Sequence, residues 1–453
     1  MNISINPATG KELARFPDAT PAEIENALVA AVAAQAQWRE KPIEERTALL
    51  HRLAAALRAR KEYYAGLITD EMGKPLSDAL GEIEKCAWNC EFYAERAPDF
   101  LADREVASDA AYSAVVYDPL GVILAIMPWN YPFWQFFRFA APALAAGNGI
   151  LLKHAANVPQ CLLAIAEVMQ LAETPEGLCA APLIPTSAVA GLIADSRVAA
   201  VTLTGSTRVG ALVASEAGKA LKKQVLELGG SDPFIVLADA DIEKAARVAA
   251  TARFTNAGQS CINAKRFIVV EAVADAFVAA FVEAVKDLKL GDPRQEGIKL
   301  GPVARADLRD TLHEQVTRSV QSGAKVKLGG APATGPGFFY QPTILDYVRP
   351  GMAAFDEETF GPAAAIVRVK DEAEAIALAN QTEFGLGAAI WSRDTARARK
   401  LARRIEAGAV FINALVASDP RLPFGGVKRS GYGRELGDLG IREFVNAKTL
   451  SMA

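Results

Sequence analysis

Along residues 21–96 apolar positions recur at threes and fours among charged ones, first Ile24, Leu28 and Val32, then Leu49, Leu50, Leu53 and Leu57. That period predicts amphipathic helices. Thr20-Pro21-Ala22-Glu23 supplies an N-cap, a proline for the first turn and a capping-box glutamate. The texture changes at Ala111. From there to Met127 the chain reads as two strands around Asp118-Pro119-Leu120-Gly121, the first alternating and the second apolar throughout, as burial on both faces requires. Residues 149–153 and 198–204 are further short strands, each followed by polar or glycine residues and a helical stretch, the texture of a doubly wound α/β unit. A second α/β pattern starts near Gly230, with strands at 233–237 and 266–270, so a domain boundary is expected there. Residues 329–337, rich in Gly and Pro, read as a surface loop, and no internal repeat is visible.

A chain of 453 residues is too long for one core, and two or three domains follow. With 51% hydrophobic and 23% charged residues it has an ordinary globular composition. A net charge of -4 without a Lys/Arg block argues against nucleic acid or an anionic membrane as partner and leaves small organic substrates. The five cysteines, Cys86, Cys90, Cys161, Cys179 and Cys261, show no paired framework, as expected of a reducing cytoplasm. Cys86 and Cys90 share a helix face with no second pair to complete a metal site, so helix core is their expected place. The start, Met1 to Pro7, lacks the charged and apolar stretches of a secretory leader, and the apolar run at 120–127 is too short to span a bilayer.

Candidate chemistry centres on Cys261 in Asn256-Ala257-Gly258-Gln259-Ser260-Cys261 and Glu227 in Leu226-Glu227-Leu228-Gly229-Gly230. A thiol with an ordinary pKa near ~8.5 is a few per cent thiolate at neutral pH, and that fraction attacks carbonyl carbon well. None of the three histidines, His51, His154 and His313, lies in a motif, so a carboxylate is the expected base. In Pro128-Trp129-Asn130-Tyr131-Pro132 a strand ends and a helix starts. Asn130 can either cap that helix or present an amide N–H to an oxyanion. Gly205-Ser206-Thr207-Arg208-Val209-Gly210 follows a strand and opens a helix, a setting for a dinucleotide phosphate or simply a turn.

Glu227-Leu228-Gly229-Gly230 and Gly258-Gln259-Ser260-Cys261 resemble the base and nucleophile signatures of the NAD(P)-dependent aldehyde dehydrogenases. The segments around Asn130 and Gly205, Glu357-Glu358-Thr359-Phe360-Gly361-Pro362 and Pro423-Phe424-Gly425-Gly426 match further motifs of that family, in order, from about Asn6 to the end. The resemblance implies an α/β fold with a Rossmann-like NAD(P)-binding domain (1–109 and 126–229), an α/β catalytic domain (230–434), and a β-strand oligomerisation arm formed by a hairpin near 110–125 with 435–453. It implies a homo-oligomer, dimer or tetramer. Cys261 becomes the nucleophile, Glu227 the base that activates water, and Asn130 the oxyanion donor alongside the Cys261 backbone N–H. Trp129, Lys153, Ala156, Gly205, Ser206, Glu358 and Phe360 become cofactor residues, and the Pro-Phe-Gly-Gly stretch supports recognition more than catalysis. Strict NAD users in the family carry an acid where this chain has Ala156, so NADP use is expected, with Lys153 near its phosphate. The other reading is that Ala156 merely packs and NAD stays favoured.

Arg138 lies eight residues after Asn130 in an apolar helix, where an unpaired charge is costly. Spacings of four put Asn130, Trp134 and Arg138 near one face, so the guanidinium can reach the cavity and grip a carboxylate at the far end of a short aldehyde. It can equally pair with an internal acid. The matching Arg occurs in succinate-semialdehyde dehydrogenases, whose short bacterial form this chain resembles most, and Ser418 is a candidate to share the carboxylate. A second Arg of some of those enzymes, six residues before the Cys, is here Thr255. Competing readings are another short or ω-carboxylate aldehyde such as glutarate semialdehyde, a CoA-acylating aldehyde dehydrogenase, a cofactor-free cysteine acyltransferase or thioesterase, and a catalytically silent scaffold. Glu227, Lys153, Gly205 and Glu358 favour hydrolysis with a nucleotide.

Overall fold

In the computed structural model, which describes residues 1–453, the helical texture after Thr20 resolves into four helices, Pro21–Trp38, Ile43–Ala59, Lys61–Met72 and Leu76–Phe100. The capping box forms: the Thr20 hydroxyl accepts from the Glu23 N–H at 3.2 Å, and the Glu23 carboxylate accepts from the Thr20 N–H at 2.7 Å. In Leu76–Phe100 the residues at threes and fours, Ala79, Ile83, Cys86, Cys90, Tyr93 and Ala97, are buried. Both cysteines therefore sit in helix core, as their spacing suggests. This face packs on Trp134–Ala145, a helix buried all round.

Two parallel sheets follow, as the α/β texture predicts. The first has the order Gly431–Tyr432, Lys223–Glu227, Val198–Thr204, Val122–Met127, Gly149–His154, Cys179–Ala180, parallel but for Gly431–Tyr432. The chain runs outward from Val122–Met127 to one side, then returns to its other side with Val198–Thr204. That reversal opens a crevice at the carboxyl ends of these two strands, the place where doubly wound sheets take ligands. The residues leaving the two strands are Pro128-Trp129-Asn130 and Gly205-Ser206.

The second sheet has the order Lys325–Leu328, Thr343–Asp346, Ala363–Val369, Ala264–Val270, Asp232–Val236, Gly387–Trp391, Ala409–Ile412, parallel but for the first strand. Strand alternation divides its apolar residues between two cores, Ile235 and Ile268 in one and Phe234 and Phe267 in the other, each closed by helices.

A third sheet has Tyr112–Pro119 at its centre, antiparallel to Val445–Met452 on one side and to Arg104–Glu105 on the other. Here the expectation of a hairpin over 110–125 is corrected. Val122–Met127 lies inside the first sheet, paired on both sides and fully buried, because a strand apolar on both faces has no place in an exposed arm. No helix is long and apolar enough to cross a membrane.

Candidate active site

Helix Ile242–Phe254 is followed, after Thr255, by three successive left-handed residues, Asn256 (φ 55°), Ala257 (φ 52°) and Gly258 (φ 72°), which turn the chain toward Cys261. Left-handed backbone costs a non-glycine residue roughly 1–2 kcal/mol, so the turn must be held from outside. The Asn256 amide donates to the backbone carbonyl of Asn130 (2.9 Å), Gln259 accepts the Ala304 N–H (2.8 Å), and the Ser260 N–H donates to Asn263 (2.8 Å). Behind the loop the Lys265 ammonium donates to the carbonyls of Ser260 (3.1 Å), Cys261 (2.8 Å) and Asn263 (3.3 Å). Gly258 has no room for a side chain, since a Cβ would lie 2.3 Å from the Gly361 carbonyl oxygen.

Burial pushes the Cys261 thiol up to about 12, against the pull of Arg138 and Lys265, so the resting group is a neutral thiol. Its attack on a carbonyl therefore has to release that proton. Glu227, the last residue of Lys223–Glu227, has both carboxylate oxygens buried without a hydrogen-bond partner. Burial first, and the charge of Glu435 next, push its pKa well above the usual carboxylate range, which makes it a stronger base when ionised. Gly425 (φ 153°) passes so close that a Cβ there would lie 2.7 Å from Glu227 Oε1. The Pro-Phe-Gly-Gly segment thus packs on the base, beyond the recognition signal that its motif carries.

A cavity of about 320 Å³ is lined by Cys261, Trp134, Arg138, Lys85, Ser418 and Phe424 among others, so the structure brings both residues expected at the substrate's far end together with the thiol. The internal acid of one reading of Arg138 is present, and the side chain also reaches the cavity that the other reading requires. It lines this cavity, and its Nε forms an ion pair with Glu435, the two side chains 2% and 4% exposed. The guanidinium also lies 4.6 Å from the Phe424 ring centroid and donates to Thr204 at 3.3 Å. Lys85 has no carboxylate within ion-pairing distance. Its ammonium donates to the Ser418 carbonyl and hydroxyl, both at 2.7 Å, and stands 4.4 Å over the Trp134 ring. Burial, and then the charge of Arg138, bring Lys85 down to about 8.

Asn130 is buried and caps no helix. Trp134–Ala145 starts four residues later and takes its cap from elsewhere, the Glu82 carboxylate accepting the N–H groups of Phe133 and Trp134, both at 3.0 Å. The Asn130 amide donates one N–H to the Gln259 carbonyl at 3.0 Å, leaving its second N–H, while the backbone N–H of Cys261 donates to no protein group.

The expected cofactor residues gather around the crevice. Lys153, next to last in Gly149–His154, donates to the His154 carbonyl (3.0 Å), Ala156 is exposed, and Ser206 caps Thr207–Lys219 by accepting the Val209 N–H (3.4 Å). A Cβ at Gly205 would meet only Leu203, at an ordinary contact distance of 3.9 Å. Phe360 meets Trp129 edge to face, centroids 5.7 Å apart. Glu358 accepts the Gly230 N–H at 2.9 Å and lies 3.7 Å from Lys265. Open phosphate-side backbone, exposed small residues and an aromatic pair fit a dinucleotide lying from Ala156 to Phe360. His154 is not part of this chemistry. Burial lowers it to about 4, its Nδ1 accepts from the Ala155 N–H (2.8 Å), and Nε2 donates to the Pro132 carbonyl (3.0 Å), tying two strand ends together.

Three residues of the site escaped sequence reasoning. Lys85 and Glu82 belong to the helical stretch before residue 96, where charged residues alternate with apolar ones as on any solvated face. Arg253, fully buried, donates to the carbonyls of Ala363 (2.6 Å) and Thr359 (2.8 Å) and also to Gly361, lashing the Glu358–Phe360 segment to the helix that feeds the Cys261 loop. Its only advance signal is a charge inside an alanine-rich helix.

Comparison with known proteins gives the same answer for the whole chain. The aldehyde dehydrogenase family matches residues 2–450. The succinate semialdehyde dehydrogenase [NAD(P)+] of Escherichia coli is 51% identical, with 99% of this chain and 97% of that one covered. A probable succinate-semialdehyde dehydrogenase [NADP(+)] of Synechocystis is 50% identical, with 99% of each covered. The crystal structure of succinic semialdehyde dehydrogenase from Streptococcus pyogenes in complex with NADP+ superposes with a TM-score of 0.98 at 38% identity, covering both chains fully. With a cysteine loop, a buried glutamate and a switch-point crevice arranged on this fold, the chain belongs to the aldehyde dehydrogenase family.

Proposed function

We propose that the protein oxidises succinic semialdehyde to succinate with NADP, and also with NAD, through a thioester on Cys261. One observation carries the reading: a single cavity of about 320 Å³ has the Cys261 thiol on its wall together with the cationic side chains of Arg138 and Lys85 and the Ser418 hydroxyl. The Cys261 thiol releases its proton to solvent water as sulfur attacks the aldehyde carbon. The second Asn130 N–H and the Cys261 backbone N–H stabilise the oxyanion. Bound NADP supplies the hydride acceptor that converts the thiohemiacetal on Cys261 into a thioester. Glu227, unencumbered by hydrogen bonds, then takes a proton from water, which hydrolyses the thioester. The close relatives named as NADP enzymes support the cofactor choice, as does exposed Ala156 beside Lys153.

Val445–Met452 supports the expectation of a homo-oligomer: it is an edge strand of eight residues, exposed along seven, with Leu450 and Met452 turned outward. Such an edge pairs with another chain, and a second copy is the simplest partner. All five thiols are free, which suits a reducing cytoplasm. The test is the rate of nicotinamide reduction with succinic semialdehyde, glutarate semialdehyde and butanal, using NADP or NAD, with and without CoA. Preference for succinic semialdehyde with no need of CoA supports the reading; equal rates on butanal, or dependence on CoA, refute it.

A further inference from the structure

The cation expected to meet the substrate's distant carboxylate, Arg138, already has a counter-charge in Glu435, and a second carboxylate brought to it would be repelled by the first. The other cations near the cavity are similarly committed. Lys74 is paired with Glu82, and Lys265 faces the carbonyls behind the Cys261 loop. Thr255 on the cavity wall is neutral. That leaves Lys85, a cavity-lining ammonium whose polar partners are two oxygens of one residue, Ser418.

We propose that Lys85 is the specificity-determining residue of this enzyme, its ammonium meeting the carboxylate of an ω-carboxylate aldehyde with Ser418 as co-donor. Two of the three ammonium N–H groups are spent on Ser418, and the third remains for the ligand. Because the Ser418 oxygen accepts from Lys85, its own proton is free to point at the same carboxylate. Two adjacent donors thus face two carboxylate oxygens, and Trp134 screens the ammonium from water on one side. Selection also works by exclusion. A neutral aldehyde of the same length fills the cavity but leaves the ammonium desolvated and unmatched, a penalty that a carboxylate removes. In this chain Lys85, from a helix far upstream, does what a cation at Thr255 would otherwise do.

The inference rests on the proposed substrate, and its experiment separates the two. The quantity is the ratio of kcat/KM for succinic semialdehyde to that for butanal, measured for the wild type, Lys85→Gln and Lys85→Arg. The wild-type ratio well above unity is required by the substrate reading, and a ratio near unity refutes that reading and this inference together. Lys85→Gln is expected to lower the ratio at least about 10-fold, chiefly through KM for the semialdehyde, the scale of a charge-assisted hydrogen bond. Lys85→Arg is expected to restore most of it. A wild-type preference with less than about a threefold change in Lys85→Gln leaves the substrate reading standing and overturns the role of Lys85, since a purely structural residue lowers both rates alike. The wild type gives an independent readout that no misfolded variant can cloud. Acetylation of Lys85 by N-hydroxysuccinimidyl acetate, followed by peptide mass spectrometry, should be slowed by succinate and not by butanol, and equal rates in the two would overturn the proposal.

Discussion

Removing Arg138 should unsettle the fold around the site as well as the substrate end of the cavity. Arg138→Met leaves the Glu435 carboxylate, 4% exposed, in the interior with its cation gone. Breaking a buried ion pair from one side costs about 3–5 kcal/mol, whereas replacing both partners by neutral groups of similar volume is far milder. Arg138→Met/Glu435→Gln should therefore be more stable than Arg138→Met, and a double-mutant cycle with Glu435→Gln should return a coupling of about 2–3 kcal/mol. The assay is native-state hydrogen exchange read by mass spectrometry on helix Trp134–Ala145, which reports local opening even where global unfolding is not two-state. A loss of 3–5 kcal/mol speeds exchange there by roughly 10²- to 10⁴-fold. The effect has a sign in pH. Burial already raises Glu435, and Arg138 is the chief influence holding it down, so without Arg138 its folded pKa rises further. A raised folded pKa favours the fold below the unfolded carboxylate value near ~4.3 and loses that contribution as pH rises through the folded value. The deficit of Arg138→Met should thus be largest at alkaline pH and shrink on acidification. Additive single and double variants, within about 0.5 kcal/mol, or a deficit that grows in acid, would refute the pairing argument.

Three further outcomes are expected. Glu227→Gln should cut the steady-state rate about 10²- to 10⁴-fold, the span of a lost general base, yet give one burst of reduced cofactor per site; a normal steady state in stopped-flow absorbance contradicts the assignment. Ala156→Glu places a carboxylate on an exposed site near Lys153 and should lower the NADP/NAD ratio of kcat/KM at least about tenfold, and an unchanged ratio would show that the 2′-phosphate lies elsewhere. With the Cys261 thiol pushed up to about 12, its alkylation by iodoacetamide in the cofactor-free enzyme should keep rising through pH 9, and a plateau below pH 8 would reveal a thiolate at rest.

The elements legible in the chain were those whose determinants are local. The Thr20 capping box, the helical face of Cys86 and Cys90, and the strand-to-helix turn at Ser206 each depend on residues within a few positions, and each forms. Val122–Met127 shows the limit: its apolar run correctly signals burial on both faces, but which strands it pairs with is decided by Gly149–His154 and Val198–Thr204, far along the chain. The motifs placed Cys261, Glu227, Asn130 and Arg138 in one region without revealing what holds them there. The left-handed Ala257 has no local signal, because its conformation is imposed by neighbours such as Asn130 and Ala304. Lys85 meets Ser418 across 333 positions, and nothing in its own helix distinguishes it from solvated lysines.

The central claim, that Cys261 carries the substrate as a succinyl thioester, is open to one direct measurement. Glu227→Gln enzyme is mixed with succinic semialdehyde and NADP, quenched in acid during the burst, digested and analysed by peptide mass spectrometry. The account predicts one succinyl group per chain, on the peptide that contains Cys261. Unmodified Cys261, or a succinyl group on Cys179 or another residue instead, would contradict it.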